Sequence, residues 1–426
     1  MTIFTYANPI MIHLNKAAGY LASPSLWIWI WTLNFWAHID TQLIPILAEL
    51  KFSLLITITS VLAIVKNIPI SKFTWRPKDS DLALAIPILA LTLFPLLSAL
   101  PSLDEKNILA HPPYKALIKH LVIILLYASS LANQRVRKAL IASNITGVVI
   151  LAITLHIRFF VFDEARIDGR PLLNQNISDP NFMACIFASF IPITAVFFST
   201  FTHKYKKLAT ILISLLFLES ILLTESRMGI IAVIACLFSM TRLIRSEHRN
   251  RFIFICIFSV GFLSLILFLS PMGHQIIERF STFDDESNSL RLRTLRAGIN
   301  VFMNAPMLGV GIDGVRDIFL SLESYARLQT EAMELNVHNT FIKILSEHGI
   351  LGFTLFLLLP ASIISASFSP RFKRDHRIYL QSSIIALVAN SLTLPLDIQD
   401  WLHQTIGCLL VLTVYLQGFH HEKNWT

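Results

Sequence analysis

The residues of this chain best equipped for chemistry are a set of arginines and one histidine. Setting aside the basic loops, Arg166 and Arg170, Arg227, Arg291, Arg293 and Arg296, and then His338 stand near the ends of apolar stretches. A guanidinium keeps its charge at any physiological pH and offers a planar fork that can hold two phosphate oxygens. An imidazole with an ordinary pKa near ~6.5 can take a proton from a hydroxyl at ambient pH. Ionisable groups at membrane depth or just outside it are costly enough to be functional candidates by default. Each member also has a plainer reading. Arg227, in Leu222-Leu223-Thr224-Glu225-Ser226-Arg227-Met228-Gly229, can be a loop arginine that snorkels and pairs with Glu225. Arg293 and Arg296 can be solvated or bind lipid headgroups, and His338 can be a helix cap or a packed polar residue. Glu347 falls about 180° round a helix from His338, at ~100° per residue, and pairs more naturally with Lys343.

The acidic run Asp284, Asp285, Glu286 is the one placed to hold a divalent ion. Consecutive side chains on a loop converge poorly on one ion without distant partners, so the run reads as a solvated approach to a helix. No metal and no cofactor are expected.

The elements that must position these groups follow from composition. Of 426 residues 54% are hydrophobic and 15% charged, against roughly 25% charged in a soluble globular domain. Apolar runs long enough for helices to cross a hydrocarbon layer recur from end to end, and the ~10-residue alternation of outer-membrane strands does not. The chain reads as an all-α polytopic membrane protein of about twelve spans, near 20–38, 46–65, 82–101, 115–132, 139–162, 181–201, 208–224, 229–243, 251–271, 341–367, 378–396 and 401–418. Every second loop is basic: Lys66 to Lys78, Arg135 to Lys138, Lys204 to Lys207, Arg242 to Arg251, Arg371 to Arg377. By the positive-inside rule these loops, and both termini, are cytoplasmic. The net charge of +8 is then an orientation signal, and no nucleic-acid partner is expected. Cys185, Cys236, Cys256 and Cys408 all lie in apolar runs, which predicts no disulfide framework and no zinc site. Met1 to Ala22 lacks a compact basic, apolar and small-residue cleavage pattern, so no removable signal is expected.

Three segments result: 1–271 with the first nine spans, 272–340 as a large outer loop, and 341–426 with the last three spans and a cytoplasmic tail. The loop between spans nine and ten is too long for a plain connection and is predicted to be functional. Within it Leu292, Leu295, Ile299, Phe302 and Met303 recur at helical spacing, an amphipathic helix lying at the membrane surface. With Arg291 at zero on the wheel, Leu295 lies at about 40°, Phe302 at about 20° and Gly298 at about −20°, so Arg291 projects from the edge of the apolar face. Arg293, at about 200°, belongs to the wet face. The helix stops before Pro306, Gly309, Gly311 and Gly314 make a flexible turn, and a second helical stretch from about Val315 to Leu335 leads back to the membrane.

Three strings carry a resemblance. HNTFIKILSEHGILG, from His338 to Gly352, resembles the signature of the O-antigen ligase and O-antigen polymerase family. TESRMG around Arg227 and RLRTLRAGINVFMNAPMLGVG from Arg291 to Gly311 resemble two further pieces of it, in order and placement. The likeness runs from about Leu222 to Gly352; the first half is similar only in its spans, with Arg166-x-x-Gly169 and Asn181 as echoes. Where the family often has an aromatic four residues after the loop arginine, this chain has Leu295.

The resemblance implies a GT-C-like membrane glycosyltransferase in the inner membrane of a Gram-negative bacterium, its active site periplasmic. It implies transfer of O-antigen polysaccharide from undecaprenyl diphosphate to lipid A-core by a metal-independent inverting displacement. His338 would be the general base, and Arg227, Arg291 and Arg166 would bind the donor diphosphate. Asn339, Arg293 and Glu347 would support the site or bind acceptor. The alternatives are an O-antigen polymerase using the same donor and, from another class, a lipid-linked glycan or anion transporter. A transporter would want its ionisable groups at the bilayer midplane on broken helices in repeated halves. Here the charges gather at one interface.

Overall fold

A computed structural model describes residues 24–37, 134–162, 166–167, 170–171, 180–202, 204–243, 250, 254, 261, 285–311, 314–315, 318, 337–370, 372–392, 394 and 400–423. The spans expected near 46–65, 82–101 and 115–132 lie outside the described residues, as does nearly all of 251–271 and of the helix expected from Val315 to Leu335. So do Asp284 and the side chains of Asp285, Glu286, Arg166 and Arg170.

The described chain is a helical bundle: α1 (Pro24–Ala37), α2 (Gln134–Ile157), α3 (Pro180–Ser199), α4 (Lys206–Leu223), α5 (Arg227–Met240), α6 (Asp285–Asn304), α7 (Thr340–Ser367), α8 (Arg374–Ser391) and α9 (Asp400–Lys423). By length and composition Gln134–Val161, Pro180–Ser199 and Thr340–Ser367 can cross a membrane, and Arg227–Met240 and Gln404–Leu416 are shorter apolar helices. The protein is a multi-pass membrane protein. α3 lies at the centre, in contact with α4, α5, α8, α2 and α9. It is apolar all round and buried almost throughout, from Met183 to Phe197, as a helix enclosed by other helices must be.

One departure from an all-α chain is a two-residue antiparallel hairpin, Arg166–Ile167 with Arg170–Pro171, Arg166 standing opposite Pro171. It follows a π-helical turn, Arg158–Phe162, at the end of α2.

One polar cluster buried inside the bundle is tied off. The Trp36 indole N–H and the Gln404 amide both donate to Asn144 Oδ1, at 2.9 and 3.0 Å, while Asn144 Nδ2 donates to the Leu140 carbonyl at 2.8 Å. This staple joins α1, α2 and α9. Gly147 makes room for it, since a Cβ there would come within 2.5 Å of the Trp36 ring.

The span expected at 341–367 is not one straight helix. Gly349 interrupts α7 with φ 61° and ψ −168°. The Phe341 and Phe353 rings are 6.3 Å apart, centre to centre, where a straight helix would separate those residues by roughly 18 Å. The two arms therefore fold back toward each other at Gly349. Their far ends reach the same helix: Asn339 Nδ2 donates to the Leu392 carbonyl at 2.9 Å, and Gln381 Nε2 donates to Ser367 Oγ at 3.2 Å.

Candidate functional site

His338 lies at the centre of a three-residue turn closed by the Asn339 N–H donating to the Val337 carbonyl at 2.8 Å. It is half-buried. The next residue starts α7 in the ordinary way: Asn339, extended at φ −159°, caps the helix by accepting from the Ile342 N–H at 3.0 Å. Its amide also reaches Leu392, and the Thr340 hydroxyl donates to the Leu394 carbonyl. The backbone beside His338 is thus pinned to the end of α8.

Arg227 is the first residue of α5 and half-buried. The helix start is fixed by Ser226, whose hydroxyl accepts from the Gly229 N–H at 3.1 Å. Just before it, Glu225 is 5% exposed and takes a left-handed backbone, φ 52°, which glycine or asparagine adopts more easily. A Cβ on Gly229 would collide with that of Ala184, so α5 starts against the first turn of α3.

The heights of these two groups can be compared along α8. Ser239 Oγ and Ser382 Oγ are 2.8 Å apart, and farther out Arg374 donates to the Arg242 carbonyl at 2.6 Å, so α5 and α8 run antiparallel. Counting twelve residues from the serine pair, back along α5 and forward along α8 to just past its end, leads to Arg227 and Leu394. Leu394 is the residue to which Thr340 is bonded. Arg227 and the start of α7 therefore stand at one level, the end of the bundle where the α4–α5 turn lies.

α6 packs beside the same helix start. A small second core of Val301, Val315 and Val337, with Leu295, Ala297, Val310 and Ile342 against it, holds α6 beside the first turn of α7. The contact is close because Gly298 has no side chain: a Cβ there would lie 3.0 Å from Ile342 Cγ2 and 3.2 Å from Val337 Cγ2. Arg291 is exposed, two turns, roughly 10 Å, along α6 from that contact. The buried face is Thr294, Gly298 and Val301, made of small residues that hydrophobic periodicity passes over. Of the apolar residues expected to form one face, Leu295 and Phe302 are half-buried, while Leu292, Ile299 and Met303 are exposed. Arg293 and Arg296 are exposed as well.

The turn after α6, expected to be flexible, is bonded into the bend of α7. Val310 and Gly311 N–H donate to the Ser346 and Glu347 carbonyls at 3.1 and 2.8 Å; Ile350 and Leu351 N–H donate to the Pro306 and Met307 carbonyls at 2.8 and 3.4 Å. These are backbone groups that the interrupted helix cannot pair internally. The loop takes their place. Gly309 (φ 71°) and Gly311 (φ 89°) turn the chain, and a Cβ on Gly309 would strike the Glu347 carbonyl, as one on Gly349 would strike that of Met307. Sequence reasoning named Gly309 and Gly311 as turn residues and missed their partner; the Gly349 in HGILG was the available signal.

Below this interlock the α7 arm carries a buried charge pair. Lys343 Nζ and Glu347 Oε2 are 3.9 Å apart, each side chain 1% exposed, the pairing expected from spacing. Arg166 is placed only by its backbone, in the hairpin that follows α2.

Residues 209–357 match a protein-family model described as O-antigen ligase. The match takes in Arg227, Arg291 and His338, the α6–α7 interlock, and the turn that carries Glu225. No curated protein matches the chain.

Proposed function

We propose that this chain is a glycosyltransferase of the O-antigen ligase family that moves O-antigen polysaccharide from undecaprenyl diphosphate to lipid A-core at the periplasmic face of the inner membrane. The reading is supported by Arg227 and the start of α7 that follows His338 standing at one level, and by the packing of α6, which carries Arg291, beside that start, all inside the family-matched stretch.

The chemistry follows from what these groups can hold. A hydroxyl oxygen of the core sugar attacks the anomeric carbon of the donor sugar from the face opposite the diphosphate. The new carbon–oxygen bond forms as the bond to the β-phosphate breaks, inverting the anomeric centre. His338 takes the hydroxyl proton, and the leaving diphosphate takes the electron pair. The charge that grows on that phosphate is met by the Arg227 and Arg291 forks, fixed before the reaction by a helix start and a packed helix. Arg166, on its hairpin, is proposed as a third cation for the diphosphate. Asn339 orients the turn that holds His338, and Glu347 supports the arm beneath it. Arg293, exposed on the outer side of α6, is proposed to meet acceptor glycan.

The test is reconstitution with purified carrier-linked glycan and lipid A-core. His338→Ala is expected to lower turnover on the order of 10²- to 10⁴-fold while carrier binding persists. Full turnover by that variant would remove the general base. Glycan extended on the carrier, with none on lipid A-core, would mark a polymerase instead.

A further inference from the structure

We infer that Glu225 is a positioning residue whose carboxylate holds the Arg227 guanidinium in the orientation that receives the donor diphosphate, an inference that rests on the donor reading above. The turn between α4 and α5 is not an ordinary surface connection. Connecting segments run over the outside of a protein, because a buried loop would carry backbone groups without partners, yet Thr224, Glu225 and Ser226 are all buried. The turn bonds itself together. The Thr224 hydroxyl donates to the Ile221 carbonyl at 2.6 Å, the Glu225 N–H donates to the Leu222 carbonyl at 3.0 Å, and the Ser226 hydroxyl caps α5. None of these bonds uses the Glu225 carboxylate.

Two costs meet at position 225. A left-handed backbone crowds the Cβ of any residue but glycine, and among the described residues Glu225 is the one other than glycine with a positive φ. A carboxylate taken out of water must also find a cation or hydrogen-bond donors. Glycine would avoid both costs. A residue held against its own backbone preference, two positions before a proposed diphosphate ligand, points to its side chain as the part that is used.

The nearest cation along the chain is Arg227. Cα atoms two residues apart lie at most about 7 Å from each other, a span that these two long side chains can close. A guanidinium carries five N–H donors in one plane, so a carboxylate on one edge leaves the others for phosphate oxygens. The backbone on both sides of the pair is fixed: Ser226 between them caps α5, and Gly229 seats that helix against Ala184. An arginine held this way meets its anion without first giving up the rotamer freedom of a loose side chain.

The test reads two quantities separately in the full-length protein, binding of undecaprenyl diphosphate and transfer of glycan to lipid A-core. Glu225→Gly relieves the backbone, so its melting midpoint is expected at or above that of the wild type. Its Kd for undecaprenyl diphosphate is nevertheless expected to rise about tenfold, with the KM for lipid A-core unchanged. Glu225→Gln, which keeps the shape and an acceptor oxygen but loses the charge, should raise that Kd about threefold. Wild-type binding by both variants would overturn the inference and leave Glu225 as a tolerated turn residue. In an Arg227→Ala background Glu225→Gly should weaken binding no further; a second tenfold loss there would show that Glu225 does not act through Arg227. Should the wild type bind undecaprenyl diphosphate and transfer nothing to lipid A-core, the proposed reaction falls while the binding comparison still rules on Glu225.

Discussion

The centre of the bundle and the bend of α7 are built on opposite principles. Where α1, α2 and α9 meet, what matters is which side chains are present: Trp36, Asn144 and Gln404 satisfy one another inside an apolar core. At the bend, what matters is which are missing. Gly298, Gly309 and Gly349 let backbone approach backbone or packed side chains, and the α6 loop takes up the hydrogen bonds that α7 gives up. The first arrangement stabilises; the second sets the positions of Arg291 and His338. A membrane protein has to pair every buried backbone group, so a helix can break inside it only where another segment repairs the break.

Three substitutions can break or sharpen this contrast. The largest effect is expected at Gly349→Val. Its backbone conformation strongly favours glycine, and the added side chain meets the Met307 carbonyl. Strain of about 1–3 kcal/mol adds to the loss of backbone bonds worth about 0.5–1.5 kcal/mol each. Turnover in the proposed reaction should fall on the order of 100-fold or more as the groups proposed for it lose register. Hydrogen exchange should quicken at 306–311 and 346–351 while α2 and α3 stay protected. Exchange that rises everywhere would show that the two regions are one cooperative unit.

Next comes Asn144→Leu, which leaves the Trp36 and Gln404 donors facing an apolar side chain. At about 1–3 kcal/mol for each of the two stranded donors, the loss should be about 2–6 kcal/mol, read as a lower midpoint in denaturant titration. The activity per folded molecule should hold. A specific loss of turnover would give the staple a role at the site.

The smallest is Gly147→Ala, whose methyl must displace the Trp36 ring. Overpacking of this kind costs about 1–3 kcal/mol, and the low end is expected because the intruder is one methyl group. Fluorescence of Trp36 should change with little change in the melting midpoint. A drop as large as that of Asn144→Leu would mean the ring has nowhere to go.

The bundle was legible because apolar runs report burial directly. The spans expected near 20–38, 139–162, 181–201, 208–224, 229–243, 378–396 and 401–418 correspond to α1, α2, α3, α4, α5, α8 and α9 within a few residues. The Lys343–Glu347 pair was equally legible, since residues four apart on a helix are neighbours. The bend was not. Mean apolarity stays high through 350–367, and a hydropathy reading has no means of seeing a single glycine in a left-handed conformation. The packed face of α6 escaped for a related reason: Thr294, Gly298 and Val301 are chosen for smallness, while the larger Leu292, Ile299 and Met303 are left outside.

The sequence by itself determined that this is a multi-pass helical membrane protein, and offered a set of arginines and one histidine as candidates. Composition and local motif suffice for that, because burial in lipid and the reactivity of a guanidinium or an imidazole are properties of the residues themselves. Only the tertiary structure decided that α7 turns back at Gly349, that the segment after α6 fills the gap, and that α6 packs beside the start of α7, level with Arg227. Those are relations between segments distant along the chain, fixed by backbone hydrogen bonds and by the space that absent side chains leave, and neither is written at any single position.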